Sequence, residues 1–112
     1  MKFGQKLRKL REEKGMSQQE LAKRLGYKTN SYVSDMERGK FIPSQQKLRE
    51  IAKALGVPFS IIKDSLLESK FEELGIKEPA IVSMFKDYPR FTSADKRAII
   101  KVYFEIKERK AK

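Results

Sequence analysis

The sequence predicts an all-α protein in which a five-helix amino-terminal domain, residues 1–67, is followed by a short helical extension, residues 68–112. Three observations carry this expectation. Apolar side chains recur every three or four residues along almost the whole chain. Helix-starting residues (Ser17, Ser44, Pro58, Pro79, Thr92) and helix-stopping glycines (Gly15, Gly26, Gly39, Gly56, Gly75) punctuate those runs. No alternating strand pattern, internal repeat or low-complexity tract intervenes.

Each element follows from that punctuation. Phe3, Leu7 and Leu10 line one face of a first helix over about residues 3–14, which Gly15 closes. Ser17, with Glu20 three residues on, forms a capping box for a second helix near 18–25; Leu21, Ala22 and Leu25 supply its inner face, and Gly26 ends it with positive φ. Val33 and Met36, with Tyr32 as a further candidate, then set the buried side of a third helix near 30–37, capped by Gly39. Asn30, Ser31, Ser34 and Asp35 lie opposite, as short polar groups able to approach base edges.

Ser44 caps a fourth helix with the stripe Leu48, Ile51, Ala52 and Leu55, ended by Gly56. Pro58 opens a fifth, on which Phe59, Ile62 and Leu66 point one way. Leu67, Phe71 and Leu74 either continue it on a rotated face or follow a break near residue 68. Glu78-Pro79 starts a sixth helix carrying Ile81, Val82, Phe85 and Tyr88, interrupted by Pro89. Thr92, with Asp95 following, caps the last, about 93–109. Ile99, Val102, Tyr103 and Ile106 share one of its faces, with Ile100 and Phe104 displaced around the cylinder. Such a stripe is too wide for a solitary surface helix. It must pack on the first domain or on a second chain, and a second chain is favoured. Residues 107–112 read as a fraying end.

Composition narrows the functional classes. The 112 residues hold 26 Lys and Arg against 15 Asp and Glu, a net charge of +11, which favours a polyanionic partner. Most of the excess, +8, falls in residues 1–67, where the short polar helix face lies. Without Cys or His, thiolate nucleophiles, imidazole bases, disulfides and the usual zinc sites are all excluded, so neither a metal nor another cofactor is expected. An enzyme is not expected either: there is no phosphate-binding Gly loop, and the carboxylates mostly alternate with Lys or Arg as solvated helix charges. The amino terminus leads into alternating charge, and no run approaches the roughly 18 apolar residues that span a bilayer. The expected location is the cytoplasm.

Residues 3–66 resemble the five-helix, repressor-like DNA-binding domain of the phage repressor and Cro (XRE) class of helix-turn-helix regulators. Carrying the resemblance are Leu7, Leu10-Arg11, Gly15-Met16-Ser17-Gln18, Glu20-Leu21-Ala22, Leu25-Gly26, Val33-Ser34, Met36-Glu37-Arg38-Gly39, Pro43-Ser44, Leu48 and Ile51 to Val57. It implies that Gln18 binds a DNA phosphate and that Ser17 does likewise, caps its helix, or does both. Lys40 and Phe41 resemble the loop that flanks the phosphates, and Lys28 lies where it can reach one. The resemblance also implies a structural ion pair between Arg11 and Glu37. Base contacts should fall to Asn30, Ser31 and Asp35, with Thr29 and Tyr32 at the groove edge. Asn30 suits a helix cap equally well, and Asp35 can instead repel phosphate in wrong registers. One departure from the commonest spacing stands out: Tyr27-Lys28-Thr29 has one residue more between Gly26 and the third helix.

Two functions fit. The leading one is a sequence-specific transcription regulator, a repressor of a pseudo-palindromic operator on double-stranded DNA. It would bind as a homodimer through residues 76–110, with Phe85, Ile99, Val102, Tyr103 and Ile106 as the dimerisation side chains. The other is an antitoxin-like module whose extension neutralises a protein partner, with DNA binding secondary.

Overall fold

In the computed structural model, which describes residues 2–111, the chain forms seven α-helices and one 3-10 turn, with no strand among the described residues. They are α1 (Phe3–Glu13), α2 (Gln18–Arg24), α3 (Ser31–Glu37), α4 (Gln45–Leu55), α5 (Phe59–Glu73), α6 (Pro79–Asp87), the 3-10 turn Tyr88–Arg90, and α7 (Ser93–Ala111). Side-chain caps start three of the helices. Ser17 Oγ accepts from the Glu20 N–H at 3.0 Å, Ser44 Oγ from Lys47 N–H at 3.2 Å, and Thr92 Oγ1 from Asp95 N–H at 3.1 Å.

The first compact unit runs to Ile76. Its core gathers Leu7 of α1, Leu21 and Ala22 of α2, Val33 and Met36 of α3, Leu48, Ile51 and Leu55 of α4, and Ile62 of α5. Helices α1 and α2 both pack on α3, which leaves that seven-residue helix braced from two sides. Closest approach occurs where α1 begins. A Cβ on Gly4 would stand 2.6 Å from the carbonyl oxygens of both Met36 and Glu37, so only glycine lets α1 reach the carboxyl end of α3.

Helix α5 continues without a break through residue 68, and its later turns belong with the first unit. Ser69 and Phe71 are buried, and Lys6 of α1 meets Glu68 at 3.3 Å and Glu72 at 3.7 Å. The division expected at 67/68 therefore falls inside a helix, and the first compact unit ends along the chain at Ile76. Leu66 is the last apolar residue on the stripe of Ile62, whereas the burial of Phe71 comes from a rotated face of the same helix.

The second unit, from Lys77, is built differently. No side chain among residues 77–110 is buried. Tyr88 packs edge-on against Phe91 at 6.2 Å, and Lys96 lies over the Tyr88 ring at 5.1 Å. Farther along α7, Tyr103 and Phe104 meet edge-on, and Val102, Tyr103, Phe104 and Ile106 stay exposed. Of the five residues assigned to dimerisation, Ile99 alone is half-buried; Phe85 is exposed like the other three. No helix among the described residues is long and apolar enough to cross a membrane.

Candidate nucleic-acid interface

The turn between α2 and α3 is set by local chemistry. Gly26, at φ 88°, adopts the left-handed conformation that closes α2, and the N–H groups of Gly26 and Tyr27 bond back to the carbonyls of Lys23 (3.0 Å) and Ala22 (2.9 Å). Thr29, Asn30 and Ser31 then emerge exposed at the start of α3, while Val33 and Met36 on its inner side are fully buried. Ser34 and Asp35 are half-buried.

Beneath this polar end lies an ion pair. Arg11, 6% exposed, donates from Nε to Glu37 Oε2 at 2.8 Å and from a terminal nitrogen to Glu37 Oε1 at 3.0 Å; its other terminal nitrogen donates to the Met16 carbonyl at 2.7 Å. Two parallel bonds of this kind fit the planar guanidinium to the carboxylate. The Glu37 hydrogen bond raises the Arg11 pKa, outweighing the opposing effect of burial.

A polar chain leads from that pair to the surface. Gln18 Nε2 donates to Glu37 Oε1 at 3.1 Å, and Gln18 Oε1 in turn accepts from Asn30 Nδ2 at 3.3 Å. Asn30 occupies the cap position of α3, yet its side chain makes no capping bond. The amide donates to Gln18 instead, on an exposed residue. Of the two roles weighed for Asn30, the geometry departs from the cap. Thr29 and Ser31 share a hydroxyl contact at 3.3 Å.

The other assigned residues make contacts within the chain. Asp35 and Lys40, assigned to a base and a phosphate, pair with each other at 3.3 Å, Lys40 exposed and Asp35 half-buried. Tyr32, a candidate both for the inner side of α3 and for the groove edge, is half-buried. Its ring stacks on Tyr27 at 4.8 Å and meets Phe41, which stays exposed, at 5.0 Å. Desolvation pushes the Tyr32 hydroxyl pKa up. Ser17 spends its oxygen on the Glu20 N–H, leaving the hydroxyl hydrogen available. Lys28 is exposed, and its carbonyl accepts from Gln19 at 3.4 Å.

Several side chains in the same place were missed by sequence reasoning. An open cleft of about 670 Å³ is bordered by Gln18 and Ser34 and by the cations Lys2, Arg8 and Arg38. In sequence each is an ordinary charged residue, and only the fold converges them. Among the described residues no group of carboxylates could hold a metal ion.

Two short helices joined by a tight turn, the second with its polar end propped by the first, define a helix-turn-helix protein. Residues 7–62 match the helix-turn-helix family, and the chain belongs to it, in the phage-repressor (XRE) class. It is 32% identical over 80 residues to the immunity repressor protein of Bacillus phage phi105, covering 70% of this chain and 55% of that one. To the ImmF control region 10 kDa protein of the same phage it is 36% identical over 62 residues, 55% of this chain and 68% of that protein. An uncharacterized HTH-type transcriptional regulator of Sinorhizobium fredii is 43% identical over 54 residues, 48% of this chain and 69% of its own length. The chain thus spans between about half and two thirds of the length of these relatives.

Proposed function

We propose that the protein is a sequence-specific DNA-binding transcription regulator, acting as a repressor and binding a pseudo-palindromic operator as a homodimer. The observation that carries this reading is the exposed amino-terminal end of α3, where Asn30 is hydrogen-bonded to Gln18 and Gln18 in turn to the buried Arg11–Glu37 pair. A rigidly supported amide can form the paired hydrogen bonds that distinguish adenine in the major groove. Similarity to an immunity repressor supports repression, and a net charge of +11 supports affinity for phosphates. Phosphate contacts are assigned to Gln18, Ser17, Lys28, Lys40 and the exposed Phe41.

Homodimerisation through the second unit is supported by its unburied apolar side chains, Phe85, Val102, Tyr103 and Ile106. Two copies would set their α3 helices about 34 Å apart or a multiple of it. Selecting bound fragments from random duplex DNA tests this directly. Inverted half-sites at helical-turn spacing are the expected outcome, and no enrichment of any sequence would overturn the reading.

The same exposed stripe also favours an antitoxin-like role, in which a protein partner covers it. The mass of the purified chain separates the two. A stable dimer supports the regulator, whereas a monomer that aggregates unless a partner is supplied supports the antitoxin.

A further inference from the structure

The turn that delivers α3 is one residue longer than the family's usual spacing, and a longer turn has more conformations to lose on ordering. Nor can α3 hold itself, because seven residues are too few for a helix to persist without packing. An aromatic stack fills this need. Tyr27 of the turn lies face to face with Tyr32 of α3, centroids 4.8 Å apart and planes 26° apart. Tyr32 meets Phe41, from the loop after α3, at 5.0 Å. Lys47 of α4 stands over both tyrosines, 5.1 Å from the Tyr27 centroid and 5.9 Å from that of Tyr32, and is itself anchored by Glu50 at 2.8 Å.

Four chain segments therefore meet on one pair of rings, within three residues of Asn30 and one of Ser31. Stacked rings resist both sliding and rotation, since their preferred offset geometry is narrow. We propose that the Tyr27–Tyr32–Phe41 stack, closed by Lys47, is a register clamp that fixes which base pairs Asn30 and Ser31 face. Tyr27 is then a positioning residue, acting on specificity without touching DNA. The proposal rests on the reading of α3 as the base-contacting helix.

The test compares wild type with Tyr27→Phe, Tyr27→Leu and Tyr27→Ala. Each is checked to be folded by circular dichroism at the assay temperature, then put through selection from random duplex DNA and titrated on the selected and on random sites. Tyr27→Phe keeps the ring and should keep the wild-type preference, with affinity within about twofold. Tyr27→Leu and Tyr27→Ala should lose roughly three- to tenfold on the selected site, with little change on random DNA. Their selected sequences should blur or shift at the base pairs facing Asn30 and Ser31 alone. Equal loss on both kinds of DNA, or an unchanged preference in folded Tyr27→Leu and Tyr27→Ala, would overturn the clamp while leaving α3 as the reader. Wild type that enriches no sequence would overturn both.

Discussion

Helices α4 and α7 carry the same kind of apolar stripe and meet opposite fates. Leu48, Ile51, Ala52 and Leu55 of α4 are all buried, while Val102, Tyr103 and Ile106 of α7 remain between 40% and 56% exposed. The spacing is helical in both. What differs is the neighbourhood: α4 has α2 and α5 to lie against, whereas no residue from 77 to 110 becomes buried. Periodicity thus reports which face of a helix will be covered, and says nothing about what covers it.

Charged groups break the comparison most sharply. Removing the Glu37 carboxylate leaves Arg11 buried without its acceptor, so Glu37→Ala should cost about 3–5 kcal/mol, read as a large drop in melting temperature. The equivalent truncation of an exposed carboxylate on α7, Glu105→Ala, should leave the melting temperature unchanged. A stable Glu37→Ala protein would show that the pair contributes little to the first unit.

Apolar truncations sharpen it further. Ile51→Ala empties a fully buried site and should cost about 2–4 kcal/mol, measured by denaturant midpoint. Ile106→Ala leaves no cavity within the chain. Its expected effect is on self-association, a weaker dimer in sedimentation at unchanged monomer stability. Unfolding of Ile106→Ala at low concentration, where the dimer has dissociated, would mean that α7 is covered from within the chain.

How much of this was legible in the sequence follows from the range of the interactions involved. Helix ends were readable because caps and stop glycines act within one turn: Ser17, Ser44 and Thr92 each bond the N–H three residues on. The extent of α5 was not, since Phe71 lies off the stripe of Ile62 and Leu66, and its burial and that of Ser69 come from tertiary packing. In the candidate interface, short polar residues opposite Val33 and Met36 pointed to the exposed end of α3. The stack of Tyr27, Tyr32 and Phe41 was invisible, because an aromatic residue beside a groove reads alike whether it faces DNA or another ring. Gln18 and Asn30 are twelve residues apart, and nothing in their spacing shows that one orients the other.

Gly4 illustrates the same limit and yields a prediction of reversed sign. Replacing a glycine by alanine inside a helix ordinarily stabilises by about 0.5–1 kcal/mol. At Gly4 the new methyl would lie 2.6 Å from two backbone carbonyl oxygens of α3, so Gly4→Ala should destabilise by about 1–3 kcal/mol as α1 is pushed off. A raised denaturant midpoint would show that the α1–α3 contact is looser than these distances imply.

The smallest effects distinguish reading from holding within the interface itself. Asn30→Ala removes an exposed amide bonded to Gln18, and should weaken binding by about 1–3 kcal/mol on the operator while leaving random DNA nearly unaffected. Lys28→Ala removes only an exposed charge, so it should weaken binding to every duplex alike and lower the slope of log affinity against log salt by about 1. The two variants differ in kind, not in size, which is why affinity on a single sequence cannot separate them. If Asn30→Ala also weakened random DNA and flattened the salt slope, Asn30 would be a backbone contact, and base discrimination would pass to Ser31 and its neighbours on the exposed turn of α3.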